Sequence, residues 1–349
     1  MSANKTPNRI LVLGPAWVGD MVLAQSLFKT LKANQPDCII DVAAPAWTLP
    51  LLARMPEISE KIALPFKHGE LAFFERLRFG KSLKYKGYTQ AIILTNSFKS
   101  ALLPFAAGIK TRTGFLGEMR VGLINDIRPL DKTKLVKTVE RFVALGLEKN
   151  ENLSKIIPSP QINSSPEAAW LLASRAGVLN KENSVGNKNK ILGLCPGAEY
   201  GEAKRWPAEY YAEVANEALN KGWHVWLFGS DKDVPVTSQI NQLTQNKCTD
   251  FGGKTKLGEV IDLMSICNTI ISNDSGLMHI AAALDKKLIA IYGSSDPTHT
   301  PPMHPQAVIE YLGLECSPCF KRVCPLQEPS EKLKCLKKIK PSHVISKFD

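Results

Sequence analysis

The stretch Thr269-Ile-Ile-Ser-Asn-Asp-Ser-Gly-Leu-Met-His279 runs from an apolar segment straight into four polar or small residues. A short apolar run ended this way reads as a strand buried on both faces of a parallel sheet. The turn Asn273-Asp274-Ser275-Gly276 then opens a helix, which leaves backbone N–H groups, a carboxylate and a hydroxyl at one strand end. His279 lies about one turn into that helix. A single helical His is structural as often as functional, and both readings stand here. A Ser-His-Asp triad is excluded as a reading, because no G-x-S-x-G elbow is present.

The same grammar recurs outward from this stretch. Arg9–Leu13 (R-I-L-V-L) is an apolar run ended by Gly14, followed by Met21, Val22, Leu27, Phe28 and Leu31 at helical spacing. Ile39–Ala44 and Gln90–Thr95 are further strand candidates. The pattern restarts with the strand Ile191–Leu194, the helix Tyr210–Ala218, the strand His224–Phe228, the helix Gly276–Leu284 and the strand Leu288–Tyr292. Strands alternating with helices predict an α/β chain of two Rossmann-like domains facing across a cleft. Glu151–Lys190 is rich in Ser, Pro, Asn and Lys, which is linker composition. The predicted domains are therefore 1–180 and 190–349, the second ending in a Cys- and Lys-rich tail over 315–349.

At 349 residues, with 44% hydrophobic and 22% charged residues, the chain is of ordinary globular composition, and disorder is excluded. No apolar run approaches the roughly 18 residues of a membrane span. Met1–Arg9 is polar and has no small-residue cleavage site, so the cytosol is the expected compartment. The net charge of +11 is unevenly spread. Residues 1–185 hold 25 basic and 15 acidic side chains, and residues 186–320 hold 11 and 15. The first domain is thus expected to meet something anionic: a nucleic acid, a membrane face or a phosphorylated substrate.

Several loops carry chemistry. Gly14-Pro-Ala-Trp-Val-Gly19-Asp20 follows the first strand but is neither a P-loop nor a G-x-G-x-x-G turn. Asp20 is either a helix-start cap or a general base toward a sugar hydroxyl. Cys195-Pro-Gly-Ala-Glu199-Tyr-Gly-Glu-Ala-Lys204-Arg205-Trp-Pro207 opens the second domain, and its cations suit a diphosphate. In Phe228-Gly229-Ser230-Asp231-Lys-Asp233 the carboxylates suit ribose hydroxyls, and Gly293–Pro302 is a turn-rich loop at the next strand end. In the first domain Asn96, Ser97 and Lys99 follow a strand, and Arg112, Arg120 and Arg128 add cations for an anionic acceptor. Phe66–Tyr88 mixes aromatics with Lys67, Arg76, Arg78, Lys81, Lys84 and Lys86, a pattern that fits either a solvated helix face or an anionic bilayer. No RNP, KH or zinc-finger motif supports nucleic acid. Cys38, Cys195, Cys248 and Cys267 read as inert buried thiols. Cys316, Cys319, Cys324 and Cys335 supply the four thiols of a structural zinc site, with disulfide pairing and free thiols as the alternatives.

These motifs, in this order, resemble those of glycosyltransferase family 9, the ADP-heptose:lipopolysaccharide heptosyltransferases. The resemblance rests on Gly19-Asp20, Asn96–Ala101, Arg112–Gly114, Gly117–Arg120, Cys195–Pro207 and Asn273–Leu284, within about residues 8–312. It implies a GT-B fold with the acceptor on the N-terminal domain and ADP-heptose on the C-terminal one. It further implies an inverting transfer of L-glycero-D-manno-heptose to the first heptose of the Kdo2-lipid A inner core, at the cytoplasmic face of a Gram-negative inner membrane. By this analogy Asp20 is the base, and Lys204 with the helix start at Ser275-Gly276 stabilises departing ADP. Gly19, Glu199, Arg205, Gly229, Ser230, Asp231, Asn273, Asp274, Ser275, Gly276, Leu277 and His279 surround the donor. Asn96, Ser97, Lys99, Arg112 and Arg120 meet the phosphorylated acceptor. No cofactor or metal is implied for the transfer itself. The alternatives are a different core position for the acceptor, or a non-catalytic basic module that binds lipid or nucleic acid. The segment Glu315–Lys340 departs from the family pattern.

Overall fold

A computed structural model describes residues 7–67, 69–177 and 190–348. The chain divides into two units, Met1–Pro160 and Gln161–Asp349. In the first, six parallel strands form one sheet: β1 (Arg9–Leu13), β2 (Ile39–Pro45), β3 (Glu60–Leu64), β4 (Gln90–Ile93), β5 (Thr111–Phe115) and β6 (Asp126–Arg128). Their order is β3-β2-β1-β4-β5-β6. In the second unit β7 (Ile191–Cys195), β8 (His224–Leu227), β9 (Thr249–Asp250), β10 (Thr269–Asn273), β11 (Lys287–Ile291) and β12 (Val308–Glu310) pair in parallel in the order β12-β11-β10-β7-β8-β9. Both are the doubly wound order. The winding reverses between β1 and β4 in one unit and between β7 and β10 in the other, and open α/β sheets bind ligands outside the carboxyl ends of strands at such a reversal. Two Rossmann-like units are therefore present, as the sequence predicts.

The central strands are apolar because helices cover both their faces. Ile10, Leu11, Val12, Ile270, Ile271, Leu288 and Ile289 have no exposure. Each such side chain contributes roughly 1.5–3 kcal/mol of transfer free energy, the term that holds these sheets. Asp41, in β2, is an exception at 0% exposure. Its Oδ2 accepts from Arg9 Nη2 (2.7 Å) and from the Tyr88 hydroxyl (2.8 Å), while Arg9 also reaches Glu60 at 3.4 Å. Burial beside this carboxylate raises the Tyr88 pKa, and hydrogen bonding to Asp41 raises that of Arg9.

The unit boundary falls earlier than the predicted 180–190. The helix Pro166–Arg175 packs on the helix Leu257–Ser265 of the second unit. The Ser165 N–H donates to Asp262 Oδ1 at 2.7 Å, and the Ile162 N–H to the Ala283 carbonyl at 3.1 Å. Its Pro and Ser residues are helix-start chemistry rather than linker: Ser165 caps the Ala168 N–H and Pro166 takes the first position. The linker-like residues 178–189 lie outside the described residues.

At the other end of the chain, the helix Pro341–Phe348 closes the second unit. The Trp206 indole N–H donates to the Ile339 carbonyl (2.9 Å), and Phe348 packs edge-on against Trp223 at 5.2 Å. No described helix is long and apolar enough to cross a membrane.

Candidate functional site

In the second unit the reversal point joins the two longest motifs. Asn273, the last residue of β10 and fully buried, ties the loop after β7 to its neighbour strand. Its Nδ2 donates to the Pro196 carbonyl (2.6 Å), while its Oδ1 accepts from the Trp206 N–H (3.1 Å) and the Tyr211 hydroxyl (3.0 Å). Asn273 is thus an internal brace whose bonds shape the site. The brace sets Lys204 beside Asp274, with Nζ to Oδ2 at 2.5 Å. Ser295, in the loop after β11, donates to the same oxygen. Lys204 also lies 5.0 Å from the centre of the Tyr200 ring, so its ammonium is held from two sides.

Beyond Asp274 the helix Gly276–Ala283 starts with no side-chain cap: the Ser275 hydroxyl accepts nothing from the first turn. Ser275, Gly276 and Leu277 are half-buried, so the uncapped N–H groups stand at the surface next to a fixed ammonium. A helix start of this kind beside an ammonium is an arrangement that can take an anion, although here the ammonium is paired with Asp274. His279 is buried, and burial lowers its pKa from 6.5 to about 4, against the opposing pull of Asp274. It is therefore a neutral imidazole at physiological pH, and its Nδ1 has no partner.

The loops after β7 and β8 meet at Gly197 and Gly229. A Cβ at Gly197 would stand 2.3 Å from the Asp233 carboxyl carbon, and one at Gly229 would stand 2.7 Å from Asp233 Cβ. Asp233 in turn accepts from the Ser230 hydroxyl (2.7 Å) and N–H (3.0 Å) and from Arg205 (3.4 Å). Arg205 thus links its own loop, through the Ala198 carbonyl (3.3 Å), to the loop after β8. Glu199 pairs with Lys232 at 2.5 Å on the surface, while Ser230 and Asp231 remain exposed at the β8 end.

In the first unit the residues split. Gly19 and Asp20 lie in the first turn of the helix Val18–Asn34, half-buried at the carboxyl end of β1. Asn96, Ser97 and Lys99 follow the adjacent β4, so all five belong to the reversal point of that sheet. Two arginines do not join them as surface cations. Arg120 has no exposure and donates to the Thr95 carbonyl (2.7 Å), the Phe115 carbonyl and Asn96 Oδ1 (3.3 Å). Arg112 is the second residue of β5, at the amino edge, and donates to the Leu123 and Ile109 carbonyls at 2.6 Å each. Unlike the predicted role as acceptor cations, most of the donors seen here on these two arginines serve the chain's own oxygens, while Arg120 Nε is buried without a partner.

Within Phe66–Tyr88, Arg76 is also turned inward, onto the Leu71 carbonyl (2.7 Å) and the Phe66 ring (4.2 Å). Phe74, Arg78, Lys81, Lys84 and Tyr85 are exposed, and His68 lies outside the described residues. Sequence reasoning read Asp233 as a ribose contact and Ser295 only as part of the Gly293–Pro302 loop; the structure makes Asp233 the acceptor for Ser230 and Arg205, and Ser295 a donor to Asp274. Their signal was a polar loop at a strand end beside β10 or β7, which only the strand order makes neighbours. The four scattered cysteines are buried free thiols, as expected; burial raises Cys195 and Cys267.

Comparison with known proteins agrees with this geometry. The sequence profile of glycosyltransferase family 9 (heptosyltransferase) matches residues 76–329. Lipopolysaccharide heptosyltransferase 2 of Salmonella typhimurium is 47% identical over 314 residues, covering 87% of this chain and 88% of that protein. The solved structure of Escherichia coli ADP-heptose lps heptosyltransferase II has a TM-score of 0.82 at 40% identity, over 97% of each chain. A family 9 glycosyltransferase from Veillonella parvula, 20% identical, shares the fold with a TM-score of 0.83 over 99% of this chain and 98% of that one.

Proposed function

The chain belongs to glycosyltransferase family 9, and from that premise we propose that it transfers L-glycero-D-manno-heptose from ADP-heptose to the first heptose of the lipopolysaccharide inner core. The observation that carries the donor half is the Lys204–Asp274 pair beside the uncapped start of the helix Gly276–Ala283. An ammonium and free N–H groups at one point suit the β-phosphate of a departing nucleoside diphosphate, where negative charge builds as the glycosidic bond breaks. Asp274, fixed by Ser295, offers a carboxylate to donor sugar hydroxyls. Neutral His279 accepts or donates a hydrogen bond there but supplies no charge.

For the acceptor, Asp20 takes the proton of the attacking hydroxyl, so that one displacement inverts the anomeric centre. Asn96, Ser97 and Lys99 bind the phosphorylated core sugar near it. The exposed cations and aromatics around the helix Phe73–Ser82 rest on the anionic cytoplasmic face of the inner membrane. The test is ADP release from ADP-heptose with defined acceptors. Release with the mono-heptosylated Kdo2-lipid A core and not with the unheptosylated one is expected. Release with only the unheptosylated core would move the assignment to another position, and no release with any acceptor would sink the enzyme reading.

A further inference from the structure

The transfer chemistry leaves one cluster unused. Cys316, Cys319, Cys324 and Cys335 all line a single cavity of about 20 Å³, together with Ala203 and Ser294. That volume exceeds the roughly 10–15 Å³ needed by one water-sized occupant. Cys316 and Cys319 share one turn, Cys324 follows it in irregular chain and Cys335 lies in the short helix Lys334–Lys337, so the fold brings three segments to one cavity. The turn Cys316-Ser-Pro-Cys319 is followed by Phe320 in the left-handed region (φ 52°), and Leu333, also left-handed (φ 59°), donates its N–H to Cys324 Sγ at 3.3 Å. Bulky residues hold such backbone only where surrounding structure over-determines it. Among the described residues no three His, Cys, Asp or Glu side chains already stand in coordinating geometry.

We propose that these four cysteines bind one thiophilic divalent ion, zinc in the first instance, and that the ion locks the loop carrying Lys204. Uptake draws the sulfurs inward onto the ion, and each thiol releases its proton, so that M²⁺ plus four Cys–SH gives a tetrathiolate dianion and four H⁺. Lys334, paired with Glu331, lines the cavity within a tail of 8 basic and 3 acidic side chains over residues 321–349, which supplies counter-charge to such a dianion. A partly enclosed double negative charge needs such counter-charge.

The link to Lys204 runs through the chain around the cavity. The Ala203 N–H donates to the Arg322 carbonyl (3.1 Å), the Tyr200 hydroxyl to the Phe320 carbonyl (2.8 Å), and the Phe320 N–H to the Ser294 carbonyl (2.7 Å). Gly201 has no room for a side chain there: a Cβ would stand 2.4 Å from the Arg322 oxygen. The cysteine turn therefore grips Tyr200–Lys204 on one side and the Ser294-Ser295 loop on the other. Those two loops deliver both partners of Asp274. Metal at the cysteines is thus a positioning device for the phosphate site, and only this last step rests on the ADP-heptose reading above.

The experiment is metal analysis of the full-length protein purified without a metal-binding tag. About one zinc or iron per chain is expected, falling to trace in Cys319→Ser and Cys335→Ala. Replacement by Co²⁺ should give the intense near-ultraviolet thiolate-to-metal band of a tetrathiolate. Wild-type protein stripped with a chelator should melt lower and bind ADP roughly tenfold more weakly, with both restored by Zn²⁺ alone. Trace metal in wild type, or two thiols lost to a Cys316–Cys319 disulfide in the protein as purified, overturns the site. Stoichiometric metal with ADP affinity unchanged on stripping overturns the positioning role and leaves the site. Metal content and cobalt spectrum do not depend on which sugar nucleotide the enzyme uses.

Discussion

Asp41 in the first unit and Asp274 in the second are nearly identical in local chemistry. Each is a carboxylate of 0–5% exposure whose Oδ2 accepts from one cation and one hydroxyl: Arg9 and Tyr88 in one case, Lys204 and Ser295 in the other. Their places differ. Asp41 is the third residue of its strand and faces a network at the amino ends of β1, β2 and β3. Asp274 follows the last residue of β10, at the reversal of the sheet and beside a helix start. The hydrogen-bond inventory of an ion pair therefore says little about its role, whereas the strand end at which it sits says a great deal.

The comparison can be broken by substitution. Asp20 shares the carboxyl-end position, and Asp20→Asn should lower turnover by about 10²–10⁴ while ADP-heptose binding persists. Unchanged turnover in a steady-state ADP assay would remove it as the base. Lys204→Ala should cost about 10²–10³ in kcat and abolish the rise in Tm that ADP gives the wild type. A preserved ADP shift would detach Lys204 from the phosphates. Asp41→Asn should do the reverse, lowering stability by about 3 kcal/mol in urea titration with normal turnover per folded molecule. That figure is held down because Arg9 retains 29% exposure.

The smallest effect concerns His279. Its folded pKa, about 4, lies below its ordinary 6.5, so in this interval the unfolded chain binds the extra proton. Stability is therefore lost as pH falls from about 6.5 toward 4, and is fully present above that window. Between pH 7 and 5 this amounts to about 2 kcal/mol. His279→Asn should flatten that part of the urea-midpoint profile, and an unaltered slope would place the titration elsewhere.

How much of this was legible in the sequence follows from burial. Strands enclosed on both faces, such as Arg9–Leu13 and Thr269–Asn273, are written as continuous apolar runs and were readable within a residue or so. The edge and near-edge strands β3 (E-K-I-A-L), β5 (T-R-T-G-F) and β6 (D-I-R) are partly solvated, mix charge with apolar residues and gave no such signal. In the site, Lys204, Asp274 and the Ser275-Gly276 helix start were marked by polar residues packed against apolar strands. The inward bonds of Arg112 and Arg120 were not legible, because a cation in a loop-rich stretch looks the same whether it faces solvent or its own backbone. Only the geometry shows that Arg120 is fully enclosed.

Arg120 has a further consequence. It follows two successive left-handed residues, Glu118 (φ 39°) and Met119 (φ 51°), and Met119 is 89% exposed at the tip. The guanidinium joins the chain just after β4 to the end of β5, and Glu118 Oε2 accepts from the Phe98 N–H at 2.7 Å. The segment 116–121 is therefore held in place by the chain's own hydrogen bonds. The conformational entropy of this rim is lost during folding, so any partner that docks on it meets a surface whose ordering penalty has been met in advance.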